Sequence, residues 1–136
     1  MMDDHHITTH EIGHLCIYLT RNDRLPPQRW WQHIFPRSLS HEIIQAAKQY
    51  GILNATAHSP LHGFTGRGTI EQDHPEYSSP RLSIFVELVA ERLMLEEFVL
   101  SHGALLTGKI IVYKHIERWR IDNLHIQSHE IDTLEL

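Results

Sequence analysis

The chain has 136 residues, 41% of them hydrophobic and 21% charged, with a formal net charge of −5. That length can bury one ordinary core, the apolar fraction excludes wholesale disorder, and the acidic balance argues against broad nucleic-acid binding, which needs a basic surface. No apolar run is long enough to span a bilayer, the opening MMDDHHITTH is no signal peptide, and a single cysteine, Cys16, cannot form an internal disulfide, so a cytoplasmic protein is expected.

Residues 1–12 are polar and read as a flexible leader. From Gly13 the stretch GHLCIYLT alternates, with Leu15, Ile17 and Leu19 on one face and Cys16 and Tyr18 on the other, which predicts a first strand. Cys16 sits in this apolar run and reads as a core filler rather than a nucleophile. RNDRLPPQRWWQHIFPR holds three prolines and two adjacent tryptophans and reads as a loop. Its aromatic part, residues 29–36, is too apolar to stay exposed. Trp30, Trp31 and Phe35 are expected to pack either on the domain or on a neighbouring subunit.

A helix follows over 38–51, with Ser38 as N-cap, Leu39, Ile43, Ala47 and Tyr50 at helical spacing, and Gly51 as the stop. ILNATAHSPL is a second strand, interrupted near Pro60. Residues 63–80 carry three glycines and two prolines and read as one long irregular loop, of a length that is usually functional or disordered. RLSIFVELV is a third strand, ERLMLEEFVLSHG a second helix, and KIIVYKHIERWRI a last strand, followed by an acidic tail over 122–136. The order is a split βαβ pattern. It predicts an α+β, ferredoxin-like βαββαβ domain over 13–121, a four-stranded antiparallel sheet with two helices on one face. The other face would carry Arg81, Ser83, Phe85, Glu87 and Val89 on the third strand, a mixture that favours burial against partners.

Hairpin geometry brings Gly63, at the start of the long loop, close to Arg81 at its end. A second glycine-bearing connection, HGALLTGKI, pairs Gly108 with the cation of Lys109. GALLTGK imitates the opening of a P-loop, but Ile110 stands where Ser or Thr should hold magnesium, and a strand follows where a helix should. The 13 histidines are scattered, never in HExxH, and read as a surface bias; the competing reading is a metal site using His58 and His62. Catalysis would need a positioned acid, base or nucleophile. Glu87 and His115 could face each other across strands, but a structural role suits both, so no enzyme is expected.

Two blocks carry a resemblance: AAKQYGILNATAHSPLHGFTGRG, residues 46–68, and TGKIIVYKHIERWRI, residues 107–121. With IYLTRNDR, residues 17–24, they resemble the PII (GlnB-like) signalling superfamily, and most of all an uncharacterised bacterial branch of PII-like proteins. The resemblance implies ferredoxin-like homotrimers that bind an adenine nucleotide (ATP, ADP or AMP) at the intersubunit cleft. It also implies a mobile loop, here residues 64–80, that reports the bound state to a membrane transporter or an enzyme. By position it assigns ligand contacts to Gly63, Thr65, Arg81, Gly108, Lys109 and Arg120. In this chain Gly63-Phe64-Thr65 stands for the superfamily's Gly-Phe-Gly, and Asp122 stands where a second arginine is expected. The alternatives are a divalent-metal-binding trimer of related fold and a ligand-free oligomeric interaction module.

Overall fold

The structure, a computed structural model, describes residues 4–20, 23, 38–60, 62–72 and 83–123. Strand β1 spans His5–Thr20 and leads to helix α1, Leu39–Tyr50. Strand β2 follows at Asn54–His58, then two short strands, β3 (His62–Gly63) and β4 (Glu71–Gln72). Strand β5 is Ser83–Ala90, followed by helices α2 (Arg92–Ser101) and α3 (Gly103–Leu106) and the last strand, β6, Ile110–Asn123. The main sheet has the order β2-β5-β1-β6, with every neighbouring pair antiparallel. This is the expected α+β ferredoxin-like arrangement, and β3 and β4 add a separate two-stranded hairpin.

The alternation in β1 and β5 decides which face is covered. Leu15, Ile17 and Leu19 from β1 and Val86, Leu88 and Ala90 from β5 form one buried cluster with Leu39, Ile43 and Ala47 of α1 and Leu95 and Phe98 of α2. Both helices therefore lie on one face of the sheet. Side chains four apart put the buried stripe of α1 on a single side, and Gly51, at φ 94°, turns the chain out of the helix. Ser38 occupies the N-cap position in extended conformation, but its hydroxyl meets Ser40 Oγ at 2.9 Å instead of capping an N–H. Helix α2 stops earlier than its sequence pattern suggests. The His102 ring turns back, Nδ1 lying 2.8 Å from the Phe98 carbonyl, and α3 resumes at Gly103. No described helix is long and apolar enough to cross a membrane.

Three expectations differ from the structure. The supposed leader is strand from His5 onward: residues 5–12 pair with 116–123, from His5 opposite Asn123 to Ile12 opposite Ile116. Such a ribbon is held by its backbone ladder and cross-strand pairs, so it needs no buried face and leaves no clean alternation in the sequence. For the same reason Asp122 and Asn123 belong to β6 rather than to the tail, whose remaining residues, 124–136, lie outside the described residues. The long loop is not irregular throughout, since β3 and β4 pair His62 with Gln72 and Gly63 with Glu71. Residues 73–80 and the aromatic stretch 29–36, with Trp30, Trp31 and Phe35, lie outside the described residues.

Candidate functional site

Three connections meet at one end of the sheet. Tyr18 of β1 stands opposite Ile110 of β6, so the end of β1 and the turn before β6 are side by side. In that turn the Lys109 N–H bonds the Leu106 carbonyl at 3.0 Å, and Gly108 takes φ 81°, a left-handed conformation that favours glycine. The third connection is the turn after β3, closed by the Gly68 N–H on the Thr65 carbonyl at 3.0 Å, with Gly66 at φ 61°. A Cβ on Gly66 would sit 3.7 Å from Ile110 Cδ1, which places this turn against the start of β6. Together they line a cleft of about 210 Å³ whose polar wall is Thr20, Asp23, Thr65, Gly66, Gly108 and Lys109.

The charge in the cleft is already paired. Lys109 Nζ lies 3.1 Å from Asp23 Oδ1, with both side chains about one-quarter exposed (26% and 25%). The other carboxylate oxygen of Asp23 accepts the Thr20 N–H at 2.9 Å. Its backbone joins β1 to α1, the Asp23 N–H bonding the Thr20 carbonyl at 3.1 Å and the Leu39 N–H bonding the Asp23 carbonyl at 3.2 Å. The Thr65 hydroxyl oxygen is buried and has no hydrogen-bond partner among the described residues. Two glycine turns, the Thr65 side chain and a lysine thus border one cleft, a set of groups of the kind that holds anions.

Of the residues singled out from sequence, Thr65, Gly108 and Lys109 line this cleft. Gly63 lies two residues before Thr65 in β3, where an added Cβ would stand 3.3 Å from Ser83 Oγ. Arg81 lies outside the described residues. Arg120 is not brought to the cleft within one chain: it is ten residues along β6 from Ile110, about 33 Å away at the usual strand rise. There it lines a second hollow of about 220 Å³ with Thr8, His10 and Arg118. Its Nε donates to both carboxylate oxygens of Asp122 at 2.9 Å, and the Thr8 hydroxyl donates to Asp122 Oδ2 at 3.2 Å. The Arg120 hydrogen bonds, backed by its charge and by Thr8, hold the Asp122 carboxyl below its ordinary range. The residue standing in place of an expected second arginine is thus the partner of the first.

The open face of the sheet carries a different cluster. Glu87 lies opposite Cys16, while His115 lies opposite Gly13, so the two point to opposite faces and form no acid–base pair. Glu87 instead meets His58 Nε2 at 3.2 Å and His14 Nε2 at 3.8 Å, and His115 meets Glu11 at 3.3 Å. The His58 ring stacks on Phe85 at 4.8 Å between centroids. His62 stands apart in β3, and among the described residues no three His, Cys, Asp or Glu side chains are gathered closely enough to hold a metal ion. Burial pushes the Cys16 thiol up, which leaves it protonated and a poor nucleophile. Sequence reasoning missed Asp23 and Arg118. Asp23 follows the last strand residue in a proline-rich stretch with no periodicity to place it; Arg118 could have been found by parity, two residues from Arg120 on one strand.

The family model described as "Uncharacterized ACR, COG1993" (DUF190) matches residues 13–118. No curated protein matches the chain. Among solved structures, CPII from Thiomonas intermedia K12 bound to ADP and bicarbonate has a TM-score of 0.53 at 11% identity, covering 83% of this chain and 93% of that one. CPII, a nitrogen regulatory PII-like protein, bound to ADP, AMP and bicarbonate gives 0.54 at 11% identity, with 83% and 92% covered. A putative PII-like signaling protein from Thermus thermophilus gives 0.50 at 9% identity, with 82% and 91% covered. At these identities the likeness is one of fold, and it agrees with the blocks singled out in the sequence. The chain belongs to the DUF190 family, and its fold is that of the PII-like proteins.

Proposed function

We propose that the protein is a PII-like regulator, not an enzyme, in which three copies associate through the open faces of their sheets and bind a small anionic ligand at the seams. One observation carries this reading: two glycine turns far apart in sequence line a single cleft around Lys109. The ligand is an adenine nucleotide, ATP, ADP or AMP, a reading supported by the ADP- and AMP-bound CPII structures of the same fold. Gly63, Thr65, Gly108 and Lys109 come from one copy, with Arg81 at the far end of the loop. Arg120 lies too far along β6 to serve the cleft of its own chain, so a neighbouring copy supplies it, together with Arg118. The association is supported by the apolar residues left on the open face, where Ile110 and Val112 stay exposed beside the Tyr18–Phe85 ring pair.

Ligand binding reorders the loop of residues 64–80 and changes the surface shown to a partner, a membrane transporter or an enzyme. Such a switch works only if the ligand prefers one loop state. Thermal unfolding against ATP, ADP, AMP and bicarbonate tests the reading. A nucleotide at about one hundred times its Kd should add about 2.7 kcal/mol of stability, and Lys109→Ala should remove most of the shift. No shift with any of the three nucleotides, or an equal shift in Lys109→Ala, contradicts it.

A further inference from the structure

We propose that Asp23 is the specificity-determining residue of the Lys109 cleft: a resident carboxylate that occupies the anion position and yields only to a phosphoryl group. The inference rests on the reading of this cleft as an anion site. It starts from the 3.1 Å pair between Lys109 Nζ and Asp23 Oδ1 inside that cleft. An incoming anion meets a lysine whose charge is already answered, so it must displace a charge-assisted bond that exists.

Asp23 competes from a fixed position. Its backbone is tied to Thr20 and Leu39, and its second carboxylate oxygen stays on the Thr20 N–H at 2.9 Å. Letting go of Lys109 involves a movement of the carboxylate about its bond to the Thr20 N–H. A monoanion such as bicarbonate or acetate offers Lys109 the same charge that Asp23 offers, and it must also give up translational freedom that Asp23 has already lost. A phosphoryl group carries close to two charges near neutral pH and a third acceptor oxygen. Those extra features can be met beside the pair, where the buried Thr65 hydroxyl has no partner among the described residues and the turns at Gly66 and Gly108 border the cleft. The cleft thus selects for charge before it selects for shape.

Isothermal titration with pyrophosphate, bicarbonate and acetate tests this on the wild type, Asp23→Asn and Lys109→Met. Asparagine keeps an oxygen for the Thr20 N–H, and melting confirms that the variant is folded; Asp23→Ser replaces it if it is not. The wild type is expected to bind pyrophosphate and neither monoanion. Asp23→Asn should bind pyrophosphate roughly tenfold more tightly or better and should gain bicarbonate binding. Lys109→Met should bind none of them, and adding Asp23→Asn to it should restore nothing. Unchanged or weaker pyrophosphate binding in folded Asp23→Asn, or wild-type protein that takes bicarbonate as readily as pyrophosphate, overturns the role of Asp23 and leaves the anion site standing. No anion bound by either the wild type or Asp23→Asn overturns the anion site itself.

Discussion

Gly13 has no room for a side chain. It lies where β1 passes beneath α2, and a Cβ there would stand 2.7 Å from Tyr113 Cε2 and 2.8 Å from Leu95 Cδ1. The Leu95 methyl can rotate away, but the Tyr113 ring must shift bodily. Gly13→Ala is expected to cost about 1–3 kcal/mol, read from the denaturant midpoint; a midpoint equal to wild type would show that the ring yields freely. Asp122 gives a prediction in pH. Its carboxyl is lowered in the folded chain by Arg120 and Thr8, so its stabilisation is complete above the unfolded carboxylate range and is lost as pH falls through the lowered folded value. Asp122→Asn should therefore be less stable than wild type at neutral pH, and the gap should close on acidification. A gap that is constant or widens in acid would show that the Arg120–Asp122 pair carries no such linkage. At this scale Gly108 and Lys109 stand out in the sequence because a glycine beside a cation in a connection is a local signal, while Thr65 is singled out by the resemblance alone; the structure puts all three on one cleft. Asp23 does not stand out, because its meaning comes from Lys109, which only the folded chain brings near.

At the scale of elements, hydrophobic spacing was enough wherever an element covers the core. Helix α1 and strand β5 each reveal their buried stripe through Ile43 and Ala47, or Val86 and Leu88. Phe98 of α2 is fully buried in this cluster and sits edge-on to Tyr50 at 5.6 Å. Phe98→Ala should cost about 3–5 kcal/mol, measured by thermal or denaturant unfolding, and a loss well under 1 kcal/mol would mean the helix is not packed as described. The β1–β6 ribbon behaves differently. Ile7, Trp119 and Ile121 remain 52%, 65% and 70% exposed on it, so burial imposes no alternation there and the sequence reads as a loose leader. The register of two strands is a property of their pairing, and one strand's sequence does not contain it.

At the scale of the whole molecule, one face of the sheet is covered by helices and the other carries Cys16, Tyr18, Phe85 and Val112 around the Glu87–His58 pair. A mixed apolar face of this kind is stable when another copy lies on it. Val112→Glu should leave the helix-side core and the melting cooperativity intact while weakening association, read by sedimentation; an unchanged oligomer would move the seam elsewhere. The separation of Lys109, just before β6, from Arg118 and Arg120 near its other end belongs to the same scale: a site that used all three would have to be built between chains. Native mass spectrometry with ADP tests this claim most directly. The expected result is an assembly of three 15.9 kDa chains that takes up ADP at its seams and loses that uptake in both Lys109→Ala and Arg120→Ala. A monomer that binds ADP, or a trimer whose uptake is indifferent to either residue, would contradict it.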